Sequence, residues 1–152
     1  MLFLPLVIAS GALFPGCGDM TRAVTFRVIP DPESWAVGDQ PGYLVVTQKN
    51  WPTYYSSPPM GANFVAYIYL VASRGVKPNP GYGIKILGVE QLKNKITVKL
   101  ELREPDPKKV YPQIIVCPIA VAEIAKVKLE PYDLLSFTFV DQKGNKLASV
   151  ER

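Results

Sequence analysis

Between Phe64 and Pro118, short apolar runs rich in β-branched and aromatic residues alternate with clusters of Gly, Pro and Asn. That rhythm leaves little room for anything but antiparallel strands joined by tight connections. Strands are expected over Phe64–Ser73, Gly83–Val89, Ile96–Leu102 and Ile114–Pro118, with turns at Lys77–Tyr82 and Leu92–Lys95 and a proline-rich loop from Pro105 to Pro112. In the first strand both alternating sets are apolar, Phe64/Ala66/Ile68/Leu70 and Val65/Tyr67/Tyr69/Val71, as in a central strand or one whose second side is covered. In the third, Ile96, Val98, Leu100 and Leu102 face one way and Lys95, Thr97, Lys99, Glu101 and Arg103 the other, so one side is wet. The pattern changes phase within Tyr82–Val89, which predicts a bulge near Gly88. Pro118 inside an apolar run predicts an edge position or another bulge.

The flanks extend the same sheet. Thr25–Ile29 and Gly42–Thr47 read as short strands before it, Ile119–Leu129 as one after it, and 135–150 as a hairpin turning at Asp141–Asn145. Asn50-Trp51-Pro52 predicts one or two helical turns, with Asn50 as N-cap and Pro52 tolerated in the first turn. Trp51 and Tyr55, four apart, would share a face over one end of the sheet. The expected fold is all-β, a single antiparallel β-sandwich or curled meander with one short helix near Trp51. Residues 18–152 form one β domain, and 152 residues suffice for a real core.

Residues 1–17 have a different character. Met1 to Gly16 is apolar and uncharged, but Pro5 and Pro15 interrupt it and it is short of the about 20 residues a spanning helix needs. It reads as a signal segment. Phe14-Pro-Gly-Cys17 resembles a bacterial lipoprotein signal, which makes Cys17 a candidate lipid attachment site. Ordinary signal cleavage nearby, or a cytoplasmic chain with an unusual start, are the alternatives. The expected location is extracytoplasmic, secreted or lipid-anchored, and each buried acyl CH₂ would add about 0.8 kcal/mol of membrane affinity. Cys117, between Val116 and Pro118, is expected to be a small buried hydrophobe, with a Cys17–Cys117 disulfide as the competing reading.

Composition limits the chemistry. The chain has no histidine, which removes the commonest general base, the commonest zinc ligand and any Ser-His or Cys-His pair. Two cysteines make no ordinary zinc site. The expectation is a non-enzyme with no cofactor and no metal. The charge of +4 comes from lysines scattered beside acidic residues rather than from an arginine-rich arm, so no nucleic-acid partner is expected. Anionic lipid is a further partner that such a charge would suit.

Two loops stand out as binding candidates. In Lys77-Pro78-Asn79-Pro80-Gly81-Tyr82 the prolines fix φ, Asn79 and Gly81 allow unusual backbone angles, and Tyr82 opens the next strand. Such a loop is either a rigid turn plugged by tyrosine or a preorganised binding element. Glu104-Pro105-Asp106-Pro107 opens the second, which runs to Pro112. Its two carboxylates would need further ligands to hold a cation.

The order of these features resembles a known family. A tryptophan-containing helical turn, a hydrophobic strand, the turn Gly75-Val-Lys-Pro-Asn-Pro-Gly-Tyr-Gly-Ile84, a strand pair, the loop Arg103-Glu-Pro-Asp-Pro107 and a proline-containing strand follow one another as in the PrcB C-terminal domain family. The likeness spans about 43–126, and the segment after Leu129 lies outside it. It implies a non-catalytic extracytoplasmic module, an accessory or stabilising subunit of a surface protease complex, binding a protein partner such as a secreted or surface protease. Asn79-Pro80-Gly81-Tyr82 is also similar, though two residues shorter, to the Asn-Pro-x-x-Gly-Tyr loop of chagasin-type inhibitors. That similarity implies a loop-based protease inhibitor.

Overall fold

The double-sided apolar pattern of Ile68–Ala72 places that segment in the middle of the molecule, and the computed structural model, which describes residues 20–152, shows why. Nine strands run in order: β1 (Arg22–Ala23), β2 (Arg27–Val28), β3 (Gly42–Val46), β4 (Tyr67–Ser73), β5 (Gly83–Leu92), β6 (Lys95–Arg103), β7 (Ile119–Ala125), β8 (Ser136–Val140) and β9 (Lys146–Glu151). They form two sheets, β1-β5-β6-β8-β9 and β2-β7-β4-β3. The all-β sandwich is therefore what forms, and consecutive strands do not simply meander. β4 and β5 belong to different sheets, and β7 returns to pair with β4 over Tyr67–Ser73.

The main core lies between the sheets. Val45, Ile68, Leu70, Ala72, Ala122 and Ile124 face Val89, Ile96, Val98, Leu100, Phe137 and Phe139, all buried. The other face of β4 carries Tyr69 and Val71, which pack with Trp35, Val46, Tyr55, Phe64 and Val121 into a second cluster outside the sheet. The lead-in covers it: Pro32–Trp35 is a 3-10 turn, and the short helix α1 (Trp51–Tyr54) follows β3. Trp51 stacks on Phe64, and Trp35 lies against Tyr69 at 4.4 Å between ring centres. Two covered faces explain the absence of polar alternation in β4.

The β5–β6 hairpin has its bulge between Ile86 and Gly88, with Leu87 exposed. Its outer face is wet, and Lys99 pairs with Glu90 at 2.8 Å. The C-terminal hairpin forms as expected, β8 against β9, with Asp141 accepting hydrogen bonds from the Lys143 and Asn145 N–H groups. Its placement is the unexpected part. β8 pairs with β6 in parallel, Ile96 beside Phe137 and Val98 beside Phe139, so the sheet is not wholly antiparallel.

Several local expectations need correction. The strand expected over Thr25–Ile29 is shorter, β2 at Arg27–Val28 against β7, and an unexpected β1 at Arg22–Ala23 pairs with β5, so residues 22–28 serve both sheets. β4 begins at Tyr67, because Phe64–Ala66 form a turn in which the Tyr67 N–H reaches Asn63 O. β7 ends at Ala125, and Lys126–Lys128 form a 3-10 turn. Asn50 does not cap α1 with its side chain. Its Oδ1 accepts the Thr47 N–H at 2.7 Å and its Nδ2 donates to Val45 O at 2.9 Å, which holds the chain as it leaves β3. Ile114–Cys117 is not a strand, since only one bridge, Lys77 with Val116, ties it to the rest. With no neighbour to bury it, Cys117 is exposed rather than a core residue. Cys17, and with it the signal and disulfide readings, lies outside the described residues.

The second cluster carries a pH response. The Tyr55 hydroxyl donates to Trp35 O at 3.0 Å, and burial pushes its pKa from 10.0 up to about 12. Burial also raises Tyr69 and Tyr43. A raised folded pKa stabilises fully below the unfolded value and loses that contribution as pH climbs through the folded one. Stability should therefore fall between pH 10 and about 12. Tyr55→Phe should be about 1 kcal/mol less stable at pH 8, for the lost hydrogen bond. It should also lose less on going to alkaline pH, as denaturant melts at the two pH values would measure.

Candidate interaction site

The two proline-rich loops meet at one end of the sandwich. The first leaves β4 and enters β5, and the second leaves β6, so the pairing of Gly83 with Arg103 brings their roots together. Two arginines then lock them. Arg103 Nε donates to Gly81 O and its Nη2 to Pro80 O, both at 3.2 Å. Arg74, at the end of β4, donates to Arg103 O at 2.7 Å and to Gly83 O at 3.4 Å, and it pairs with Glu104 at 2.5 Å. Its side chain is nearly buried, whereas that of Glu104 is mostly exposed, so the main-chain contacts matter more than the ion pair.

Within the loops the predicted residues play specific parts. Asn79 Oδ1 accepts the Gly81 N–H at 2.9 Å, closing a turn that presents Gly81 to the second loop. A side chain at Gly81 would meet Pro105 at 2.8 Å and Tyr111 at 2.9 Å, so glycine is what lets the loops touch. Tyr111 accepts the Asp106 N–H at 3.0 Å, and Asp106 accepts the Lys108 N–H at 2.9 Å. Lys77 and Arg74 both lie over the Tyr82 ring, at 5.2 and 5.3 Å from its centre. Such cation–π contacts contribute about 0.5–1 kcal/mol each at exposed sites. Tyr82 is therefore part plug and part surface.

A third segment completes the tip. Lys77 exchanges two main-chain hydrogen bonds with Val116, at 2.8 and 2.9 Å, and the Arg74 N–H reaches Pro118 O. Behind it, Gly75 sits against the main chain of Asp39–Pro41, and the Val76 N–H donates to Asp39 O. Lys77, Asn79, Pro80, Gly81, Tyr82, Glu104 and Pro105 thus share one tip, with Asp106 bracing the second loop. Pro78 and Pro107 are exposed on it. Glu104 and Asp106 do not join a third ligand, and no group of three acidic or cysteine side chains gathers among the described residues.

Sequence reasoning missed two sets of residues here. Arg74 and Arg103 look like ordinary strand-end charges until the strands pair. Val110, Ile114 and Ile115 are aliphatic yet 99%, 57% and 74% exposed. Their signal was available: apolar residues in a loop too proline-rich to be a strand interior have nowhere to be buried.

Residues 68–125 match the PrcB C-terminal family. The PrcB C-terminal match opens on the second residue of β4 and closes on the last of β7, so it takes two strands from each sheet and both tip loops. β1–β3 and the β8–β9 hairpin lie outside it. No curated protein and no solved structure matches the chain.

Proposed function

We propose that the chain is a non-catalytic, extracytoplasmic interaction module that grips a protein partner through the tip, as an accessory subunit of a surface protease complex. The observation that carries this reading is the tip itself. Its loops are cross-braced before any partner arrives, so little ordering entropy remains to be lost on binding, and it presents exposed aliphatic side chains beside them. Val110, Ile114 and Ile115 are exposed and suit the apolar centre of an interface. The PrcB C-terminal match spans both loops and favours an accessory role around a protease. The apolar, uncharged stretch ahead of Cys17 supports export. The chagasin-type inhibitor reading has no observation of its own in its favour and is not carried further.

Cross-linking in native membranes followed by affinity recovery of the full chain tests the reading. Ile115→Asp and Val110→Asp should each cut recovery of the partner about tenfold while leaving the melting curve unchanged, as expected for interface anchors. Tyr82→Ala should weaken recovery and loosen the tip together. Equal recovery from all three folded variants would remove the tip from the interface.

A further inference from the structure

At the end of the sandwich opposite the tip, the two sheets part around a pocket of about 250 Å³. Its interior is apolar, with Val45 from β3, Ile68 from β4, Phe137 from β8, and Leu129 and Leu135 from the β7–β8 connection. That connection is pinned by one buried amide. Gln91 Oε1 accepts the Glu130 N–H at 2.9 Å and its Nε2 donates to Glu130 O at 3.2 Å. The same side chain accepts from Arg22 and donates to Lys93 O, so all its hydrogen-bonding capacity is used. A buried amide satisfied in this way rigidifies the wall it holds, and the pocket is preformed.

Two cations line the pocket, and their partners are neutral. Lys126 Nζ donates to Phe64 O at 2.7 Å. Arg152 donates to Val45 O at 3.4 Å, Glu151 O at 2.9 Å and the Tyr54 hydroxyl at 3.2 Å. Among the described residues neither pairs with a carboxylate side chain. The one acidic residue in the lining, Glu130, is engaged by Arg22 at 3.0 Å. An apolar lining beside Lys126, a cation with no carboxylate partner among the described residues, calls for an apolar body with an anionic head.

We propose that this pocket binds a medium-chain fatty acid. The alkyl chain lies along Ile68, Leu129, Tyr132 and Leu135, over a floor made by Val45 and Phe137, and the carboxylate meets Lys126. A volume of 250 Å³ is about eight times the ~30 Å³ share of one water, which suits a chain of about six to eight carbons. Burial of the chain supplies the affinity, and Lys126 selects the head group. The site is remote from the tip and does not depend on what the tip binds.

Titration of the full chain with octanoate and with octanol, followed by methyl NMR and calorimetry, tests the proposal. Octanoate should bind saturably, with shifts concentrated at Ile68, Leu129 and Leu135, and octanol should bind about fivefold more weakly. Lys126→Met should bring octanoate down to the affinity of octanol while leaving octanol unchanged, which also reports an intact pocket. Tyr82→Ala should leave both titrations as they were, separating this site from the tip. Equal affinity for acid and alcohol, shifts clustered elsewhere, indifference to Lys126→Met, or binding of a Leu-terminated peptide in place of octanoate would overturn it.

Discussion

Phe139→Ala should remove about 4 kcal/mol of stability, the ordinary cost of emptying a fully buried aromatic site. In a domain of this size that lowers the midpoint of thermal unfolding by roughly 15 °C. Phe139 sits beside Val98 across the parallel β6–β8 pair and packs on Tyr43 from the opposite sheet, at 5.5 Å between ring centres. It therefore bridges the two layers at the middle of the core, although it belongs to the hairpin beyond the family match. Val127→Ala, at a site 89% exposed, is the control and should change stability by less than about 0.5 kcal/mol. Calorimetry of both variants decides the matter. An unchanged midpoint for Phe139→Ala would mean that the hairpin is an appendage, with the core closed without it.

The second large effect is expected at Gly75, where two penalties coincide. Its φ is +70°, a backbone conformation that costs a non-glycine residue about 1–3 kcal/mol. An added Cβ would also lie 2.7 Å from Asp39 O and 2.8 Å from Pro41 N, main-chain atoms that cannot swing aside. Gly75→Ala should accordingly cost about 3 kcal/mol or more. Gly144 has a comparable φ of +84° with open space around it, so Gly144→Ala should cost only about 1 kcal/mol. The difference between the two denaturant midpoints isolates the collision from the torsion. If the two substitutions cost the same, the Asp39–Pro41 segment is free to retreat. In that event the Val76–Asp39 contact does not brace the tip.

The sequence made some of this architecture legible and hid the rest. The bulge at Gly88, the one-sided burial of β6, the central place of β4 and the C-terminal hairpin were all readable, because period-two patterning and turn residues are local signals. What could not be read was which strands become neighbours across long separations. A parallel β6–β8 pair leaves no local mark, and neither does a lead-in whose β1 and β2 fall in different sheets. Cys117 misled for a related reason: an apolar run implies burial only if a neighbour arrives to cover it, and none does. At the tip, both loops were singled out from their prolines and glycines, but the arginines that clamp them were invisible until Gly83 and Arg103 were paired.

Because β8 reaches β6 only after β7 has crossed to the other sheet, the inter-sheet layer is assembled from distant parts of the chain. Until Phe139 arrives, the space between Val98 and Tyr43 is unfilled and the inter-sheet layer stays open. Contacts such as Arg22 with Lys128 and Arg152 with Val45 add closures spanning most of the molecule. Such high contact order predicts slow folding whose last step is the closing of the inter-sheet layer.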